Sequence, residues 1–141
     1  MRKIYIGHLK IKRFMVRVQM FFGSNILSSF PDTESTAAAM DKLDLVVCHE
    51  LFMNETTRRF ADVVLPGTAW LEDIGCKATQ THVYLMDRIL EPEGEAWPIQ
   101  DVLKGLAQRL GVDDFYPWAS QEELLDVVLD HPAMAGATVA S

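Results

Sequence analysis

Two short runs of branched apolar residues constrain the fold of this chain more than any other feature. They occupy residues 45–48 (LVVC) and 61–66 (ADVVLP) and have the length and composition of strands in a parallel sheet. A helix-forming segment precedes each run, at residues 37–43 and 54–60. An alternating apolar run at residues 14–22 comes before both helices. This order of strands and helices predicts a mainly parallel sheet with right-handed crossovers.

The ends of the predicted helices carry recognisable signals. Asp32 and Asn54 stand where N-cap side chains belong. Pro98 opens a helix with one apolar face, and Gly111 stands just past its end. Residues 120–123 (SQEE) form a capping box for a last helix. The fold class we expect is α/β, a small Rossmann-like three-layer domain with a mainly parallel sheet. A further strand is predicted at residues 82–86, after a polar loop around residues 73–75.

Length and composition indicate one globular domain. The chain has 141 residues, of which 49% are hydrophobic and 23% charged, and its mean hydropathy is +0.06. No apolar run approaches the roughly 18 residues of a membrane span, and no secretory signal precedes the first strand, so we expect a cytoplasmic protein. Cys48 and Cys76 form no CxxC pair, which excludes an iron–sulfur or zinc centre built from this chain alone.

Charge is distributed unevenly along the chain. Residues 1–31 hold six basic residues and no acidic one, whereas the remainder holds 7 basic and 20 acidic residues. A basic arm could bind nucleic acid, but the arginine clustering and interleaved aromatic residues of such arms are missing, which favours a solvated edge strand. We divide the chain into a basic arm or edge strand at 1–13, an α/β domain at 14–111, and a C-terminal helix with a flexible tail at 112–141.

Polar or small residues follow each predicted central strand: Gly23, Ser24 and Asn25 after the first, His49 and Glu50 after the second, and Pro66, Gly67 and Thr68 after the third. The carboxyl ends of parallel strands are where ligands bind in α/β sheets. A glycine lets backbone amides approach a phosphate or base, and Glu50 could accept the N1–H and N2–H donors of guanine. Neither GxGxxG nor GxxxxGK[ST] is present, and a plain turn at residues 23–25 is the alternative.

Other chemically capable residues have structural interpretations. Cys48 and His49 are strand neighbours that point to opposite faces, so they cannot bind one ion, and we assign Cys48 to the core. His49 and His82 are isolated histidines, a structural or surface role being the commoner one. Arg58 and Arg59 are expected on a solvated helix face near acidic side chains. The tryptophans are interpreted as packing residues, at Trp70, Trp97 and Trp118.

Several motifs in colinear order resemble the molybdopterin oxidoreductase family, which includes formate dehydrogenases and nitrate and dimethyl sulfoxide reductases. The resemblance runs over residues 14–111, and its motifs are MFFGSN at 20–25, LVVCHELFMNET at 45–56, ADVVLP at 61–66, WLEDIG at 70–75, EPEGEAWP at 91–98 and AQRLG at 107–111.

The resemblance implies a specific part of these enzymes and specific ligands. It implies the α/β domain that holds one of two molybdopterin guanine dinucleotides, chiefly by the guanosine end. The turn residues Gly23, Ser24 and Asn25, the His49–Glu50 pair and, with less support, Asp73 then become the cofactor-binding candidates. Asp73 stands where some relatives carry a lysine. No catalytic residue and no metal ligand are expected.

Departures from the family pattern suggest a partial enzyme. Ile26 replaces a turn proline, Ile99 stands where many relatives have an acid, and residues 75–82 are shortened, with His82 near an arginine position. Nothing here matches the family's iron–sulfur cysteines, metal ligand, second half-site or carboxy-terminal domain.

We therefore expect a fragment, domain or split subunit that is not catalytic alone, carries no molybdenum when isolated, and has the remaining domains or subunits of a molybdoenzyme as partners. No nucleic acid partner and no membrane span are expected. The alternative is a non-catalytic nucleotide- or protein-binding module that retains the fold.

Overall fold

The computed structural model describes residues 16–79, 82–132, 136 and 138–139. The predicted basic arm at 1–13 and part of the predicted tail lie outside these residues. A 3₁₀ turn at Asp113–Phe115 separates the last two helices. The strands and helices follow in the order β1 (Val18–Phe22), α1 (Ile26–Ser29), α2 (Thr33–Met40), β2 (Leu45–Glu50), α3 (Glu55–Phe60), β3 (Val63–Pro66), β4 (Gly75–Ala78), β5 (Val83–Met86), α4 (Ile99–Leu110) and α5 (Gln121–Leu129).

The sheet confirms the fold class expected from the sequence. β1, β2 and β3 form a three-stranded parallel sheet in the order β1-β2-β3, so the branched run of residues 45–48 lies in the middle strand. β4 and β5 form a separate antiparallel pair, in which Gly75 is opposite Met86 and Ala78 opposite Val83. The fold is therefore mixed α/β, with a parallel sheet built from the strands that the sequence indicated.

The described chain divides into two compact units, and each is considered by itself. The first contains residues 16–48 and 52–64, and the second contains residues 49–51 and 65 onward. The two units alternate along the sequence because β2 and β3 each begin in the first unit and end in the second. The division at 14–111 and 112–141 stays a prediction.

The first unit has a small apolar core. Met40, Val46 and Cys48 are its buried members, and Cys48 is 0% exposed. Partly buried apolar side chains pack against them: Phe21, Ile26, Leu43, Phe60 and Ala61. The assignment of Cys48 to the core is confirmed, and its thiol is free of any disulfide.

Helix capping in the first unit follows the sequence closely. The Asp32 carboxylate accepts a hydrogen bond from the Ser35 amide at 2.9 Å and caps α2. The Asn54 side chain accepts from the Thr57 amide at 3.0 Å and caps α3. Both caps satisfy backbone donors that the first turn of a helix leaves without an intrahelical partner.

The second unit contains the two longest helices, α4 and α5, both of which the sequence predicted. Pro98 is the N-cap residue of α4, and Gly111 ends that helix in the left-handed region at φ 69°. The Ser120 hydroxyl accepts from the Glu123 amide at 3.3 Å and caps α5. Leu129, at the end of α5, is 1% exposed and contributes to the interior of this unit.

Three features differ from the sequence expectations. α1 and β4 are short elements without an apolar period, so nothing in the sequence marked them. The packing role assigned to the tryptophans is wrong for Trp70 and Trp97, which are 69% and 58% exposed. Trp118 does pack, edge to face against Tyr116 at 5.1 Å.

Across the described helices, none is long and apolar enough to cross a bilayer.

Candidate functional site

The turn after β1 holds the first set of candidate residues. Gly23 adopts φ 56°, a conformation that glycine takes without strain. The Asn25 side-chain oxygen accepts from the Thr56 hydroxyl at 2.8 Å and from the Thr56 amide at 3.4 Å. The Asn25 backbone carbonyl accepts from the amides of Ser28 and Ser29 and so starts α1. The turn is therefore fixed by hydrogen bonds on both oxygens of Asn25.

Thr56 determines which way the Asn25 amide faces. The Thr56 side chain is 0% exposed, and its hydroxyl oxygen also accepts from the Leu27 amide at 3.1 Å. The hydroxyl hydrogen is then donated to Asn25, which requires an acceptor there, so the oxygen of the Asn25 amide faces Thr56 and its NH₂ group faces away. Ile26, which follows Asn25 in this turn, packs against the apolar core of the first unit.

The end of β2 holds the second set, in the other unit. Glu50 is partly buried, and its carbonyl accepts from the Gly67 amide at 3.0 Å. The Trp97 amide donates to the Pro66 carbonyl at 3.0 Å, and Gly67 and Trp97 form a parallel bridge. Glu50, Gly67 and Trp97 are thus successive positions of one ladder, which we call the strand-end ladder. Two strand spacings separate its outer members by roughly 10 Å.

His49 supports the strand-end ladder from within. Its ring is 7% exposed, and Nε2 lies 2.8 Å from the Trp97 carbonyl oxygen. A carbonyl only accepts, so Nε2 carries the proton and donates it. A Cβ added at Gly67 would lie 2.9 Å from His49 Cε1. The ring therefore fills the space that glycine leaves, and the side chain of His49 faces protein.

Beside the strand-end ladder lies an open groove of about 250 Å³. We call it the Trp97 groove, and its walls are formed by Arg88, Pro92, Ala96, Trp97, Pro98 and Asp101. It combines an exposed indole with one guanidinium and one carboxylate, since Asp101 lies in the first turn of α4. Within the described chain the Arg88 side chain makes no hydrogen bond. The groove can therefore take a planar ring that carries both hydrogen-bond donors and an anionic group.

Asp73 is occupied by its own loop. One carboxylate oxygen accepts from the Thr68 hydroxyl at 3.1 Å and the other from the Ile74 amide at 2.9 Å. The neighbouring Glu72 carboxylate accepts from the amides of Ala69 at 2.7 Å and Glu93 at 3.0 Å. These bonds order the loop after β3, and the cofactor-binding role of Asp73 stays a prediction.

The remaining candidates lie on the surface. Arg58 and Arg59 are exposed, as predicted, with Arg58 Nε donating to the Met53 carbonyl at 2.6 Å. His82 is exposed and stacks on Tyr84, with ring centroids 5.9 Å apart. In the part of the chain that the structure describes, no three histidine, cysteine or carboxylate side chains are grouped to hold a metal ion.

Carboxylates influence a buried phenol in the second unit. Burial of Tyr116 raises its pKa above the usual value, and the negative charges of Asp101 and Asp73 raise it further. The Tyr116 hydroxyl is buried and has no hydrogen-bond partner among the described residues. At neutral pH this residue is therefore a neutral phenol.

Comparisons with known proteins agree with the fold. The family model for molybdopterin oxidoreductase matches residues 6–109. The F420-dependent formate dehydrogenase subunit alpha of Methanocaldococcus jannaschii is 31% identical over 114 residues, covering 80% of this chain and 17% of that protein. Acetylene hydratase of Syntrophotalea acetylenica is 30% identical over 118 residues, covering 82% and 16%.

A solved structure gives the same result. Acetylene hydratase from Pelobacter acetylenicus superposes with a TM-score of 0.69 at 28% identity, covering 86% of this chain and 17% of that one. The chain belongs to the molybdopterin oxidoreductase family. It spans about a sixth of the length of the curated relatives that it matches, as expected for a fragment or domain of such an enzyme. Membership of this family implies molybdopterin as the cofactor.

The sequence missed three residues that line the Trp97 groove. The sequence pattern predicts a packing role for Trp97 and indicates no role for Arg88 or Asp101. The available signal was Asp101, an acid two positions after Ile99, in the first turn of an amphipathic helix. Sequence spacing could not reveal that the strand-end ladder brings Trp97 beside Gly67, because that contact joins segments 30 positions apart.

Proposed function

We propose that this chain holds the guanosine end of a molybdopterin guanine dinucleotide as part of a molybdopterin-dependent oxidoreductase. The observation that carries the proposal is the strand-end ladder. It runs from a strand-end carboxylate at Glu50, through Gly67, to the exposed indole of Trp97. Ligands of α/β sheets bind at the carboxyl ends of strands, and the ladder extends that edge of the second unit by one further segment.

The side chains of the second unit match the chemistry of a guanine nucleotide. The N1–H and N2–H donors of guanine need an acceptor with two oxygens, which Glu50 or Asp101 supplies. The indole of Trp97 offers a face on which a base can stack. Arg88 offers a positive charge for a phosphate group. Adenine has an acceptor at N1, so a carboxylate discriminates against it.

In this proposal the chain binds and orients the cofactor and is not catalytic. When bound in a complete enzyme, the molybdenum cofactor supplies two-electron redox chemistry, and protein groups set its orientation. Gly23, Ser24 and Asn25 stay cofactor-binding candidates of the first unit, which is described by itself. Asn25 offers a donor, since its NH₂ group faces away from Thr56.

The rest of the proposed enzyme comes from other domains or subunits. Its metal ligand and second half-site would be supplied there. A cytoplasmic location belongs to the proposal and is supported by Cys48 and Cys76, since neither forms a disulfide, which suits a reducing compartment.

The test is calorimetric titration of the 141-residue chain with GDP and with ADP. We expect GDP to bind at least about tenfold more tightly than ADP, a difference of about 1.4 kcal/mol. Asp101→Asn and Glu50→Gln each replace one carboxylate by an amide of the same shape. The variant that removes the guanine acceptor should lose that preference.

Glu91→Gln is the matched control, because it removes one negative charge from an exposed position outside the groove. It should bind GDP as the unaltered chain does. Equal affinity for GDP and ADP, or no binding of either at millimolar concentration, would contradict the proposal and favour a module that retains only the fold.

A further inference from the structure

The resemblance places His49 among the cofactor-binding candidates, and the surroundings of its side chain indicate a specific task there. The imidazole is buried to more than nine-tenths and donates to the backbone carbonyl of Trp97 at 2.8 Å. That bond reaches across Gly67, the middle position of the strand-end ladder.

We propose that His49 is a positioning residue that holds Trp97 so that its indole forms the wall of the Trp97 groove. The proposal rests on the proposed function, since the ligand of that groove is the guanine nucleotide. It adds that His49 acts on the ligand through Trp97.

A single isolated bridge leaves the Trp97 segment weakly attached. Trp97 is joined to its neighbour by an isolated bridge, in which its amide donates to the Pro66 carbonyl. The hydrogen bond from His49 is directed to the carbonyl of the same residue, so both polar groups of the Trp97 backbone are fixed. An indole that is 58% exposed has little packing of its own to hold it, so its orientation depends on these backbone bonds.

Gly67 couples the imidazole to the ladder sterically. His49 Cε1, Nδ1 and Nε2 would lie 2.9, 3.3 and 3.3 Å from a Cβ at that position. The ring thus lies between Gly67 and the Trp97 carbonyl, to which Nε2 donates. A rigid donor of this kind reduces the motion of the segment that it holds.

The experiment compares His49→Gln with His49→Met in the 141-residue chain. Glutamine places an NH₂ group near the position of Nε2, whereas methionine has similar length and no donor. GDP affinity should fall about tenfold in His49→Met, the effect of one lost positioning bond, and stay within about threefold in His49→Gln. His82→Met is the control, because His82 is an exposed histidine outside the groove.

A second measurement needs no ligand. With 5-fluorotryptophan incorporated, the ¹⁹F resonance of Trp97, assigned by Trp97→Phe, should shift or broaden in His49→Met and keep its position in His49→Gln and His82→Met. The resonances of Trp70 and Trp118 should not move in any of these variants.

The outcomes separate the two proposals. If the unaltered chain does not bind GDP, the proposed function fails, and the ¹⁹F spectra still decide whether His49 positions Trp97. If GDP binds and His49→Met binds it as tightly as His49→Gln, His49 has no positioning role. An unchanged Trp97 resonance in His49→Met would overturn the inference in either case.

Discussion

Asp62 and Val46 exchange two hydrogen bonds, one through the backbone and one through a side chain. The Asp62 amide donates to the Val46 carbonyl at 2.9 Å, and the Asp62 carboxylate accepts from the Val46 amide at 2.8 Å. In a parallel ladder the two polar groups of one residue normally pair with two different residues of the next strand. Here Asp62 alone pairs with both the amide and the carbonyl of Val46. It lies directly before β3, which begins at Val63. This gives the aspartate of the ADVVLP motif a structural role, which is to fix the register of β3 on β2.

Removal of the Asp62 carboxylate should weaken this register. We expect Asp62→Ala to lower the free energy of unfolding by about 1 to 2 kcal/mol, because the Val46 amide loses its acceptor. Asp62→Asn keeps an oxygen at the same place and should cost less than about 1 kcal/mol. Urea denaturation of both variants measures the difference. Equal losses in the two variants would mean that the hydrogen bond is not the cause.

Thr56 and Thr57 provide a matched pair for the turn after β1. Both are buried, at 0% and 2% exposure, but Thr56 bonds Asn25 whereas Thr57 bonds Asn54. Thr56→Val should cost about 2 kcal/mol, because it leaves the Leu27 amide without an acceptor and removes the shorter of the two hydrogen bonds to the Asn25 side-chain oxygen.

Side-chain amide signals distinguish the two threonine variants. In ¹⁵N-labelled protein the NH₂ resonances of Asn25 should move in Thr56→Val and stay in place in Thr57→Val. Thr56→Ser should restore them, since the hydroxyl is kept. If Thr57→Val also moved these resonances, the specific link between Thr56 and Asn25 would be disproved.

Two glycines should respond to alanine with opposite signs. Gly67→Ala places a methyl group 2.9 Å from the buried His49 ring and should destabilise the chain by about 2 kcal/mol. Gly105 lies inside α4, where a Cβ would meet only the end of the Arg109 side chain at 3.3 Å. Gly105→Ala should therefore stabilise by about 0.5 to 1 kcal/mol. Thermal or urea denaturation of both variants checks the signs, and a neutral Gly67→Ala would contradict the tight packing of His49.

Tyr116 should make stability depend on pH in the alkaline range. Burial raises its pKa, with Asp101 and Asp73 adding to the effect, so the unfolded chain loses this proton first as pH rises. Stability should consequently fall above about pH 10, the ordinary pKa of tyrosine. Tyr116→Phe should remove the share of this alkaline loss of stability that ionisation of Tyr116 causes. At pH 7 it should be neutral or stabilising by up to about 1 kcal/mol, because the hydroxyl has no partner among the described residues.

Tyr84→Phe is the control for this series, because Tyr84 is 53% exposed and its stacking on His82 needs only the ring. It should change stability by less than about 0.5 kcal/mol at neutral pH. A Tyr116→Phe variant that loses as much stability between pH 9 and 11 as the unaltered chain would contradict the alkaline prediction.

Local signals in the sequence were sufficient to predict most of the helices and strands. The caps at Asp32, Asn54 and Ser120 depend on side chains that bond amides three residues away, so the sequence contains both partners of each bond. The middle strand of the sheet was predicted because residues 45–48 form a short run of branched apolar residues with the length and composition of a strand in a parallel sheet, and the strand extends from Leu45 to Glu50. The family was indicated by motifs in the same order, and the family model confirms it.

The candidate site depended on contacts that leave no periodic pattern. The resemblance places His49 among the cofactor-binding candidates, which stays a prediction, and the sequence predicts that Trp97 packs; the structure buries His49 and exposes Trp97. Their relation depends on one hydrogen bond between residues 48 positions apart and on the absence of a side chain at Gly67. Helix and strand propensities and the spacing of residue types do not predict single contacts of this kind.

The sequence by itself determined the family and every strand and helix except α1 and β4, together with the side-chain caps of α2, α3 and α5, because these depend on neighbouring residues whose physical preferences add along the chain. Tertiary structure decided that Asp62 fixes a strand register, that His49 holds Trp97, and that Trp97, Arg88 and Asp101 line one groove. The physical reason is that a hydrogen bond or a steric contact between distant segments depends on where folding places them, and one residue in each segment is enough to make it.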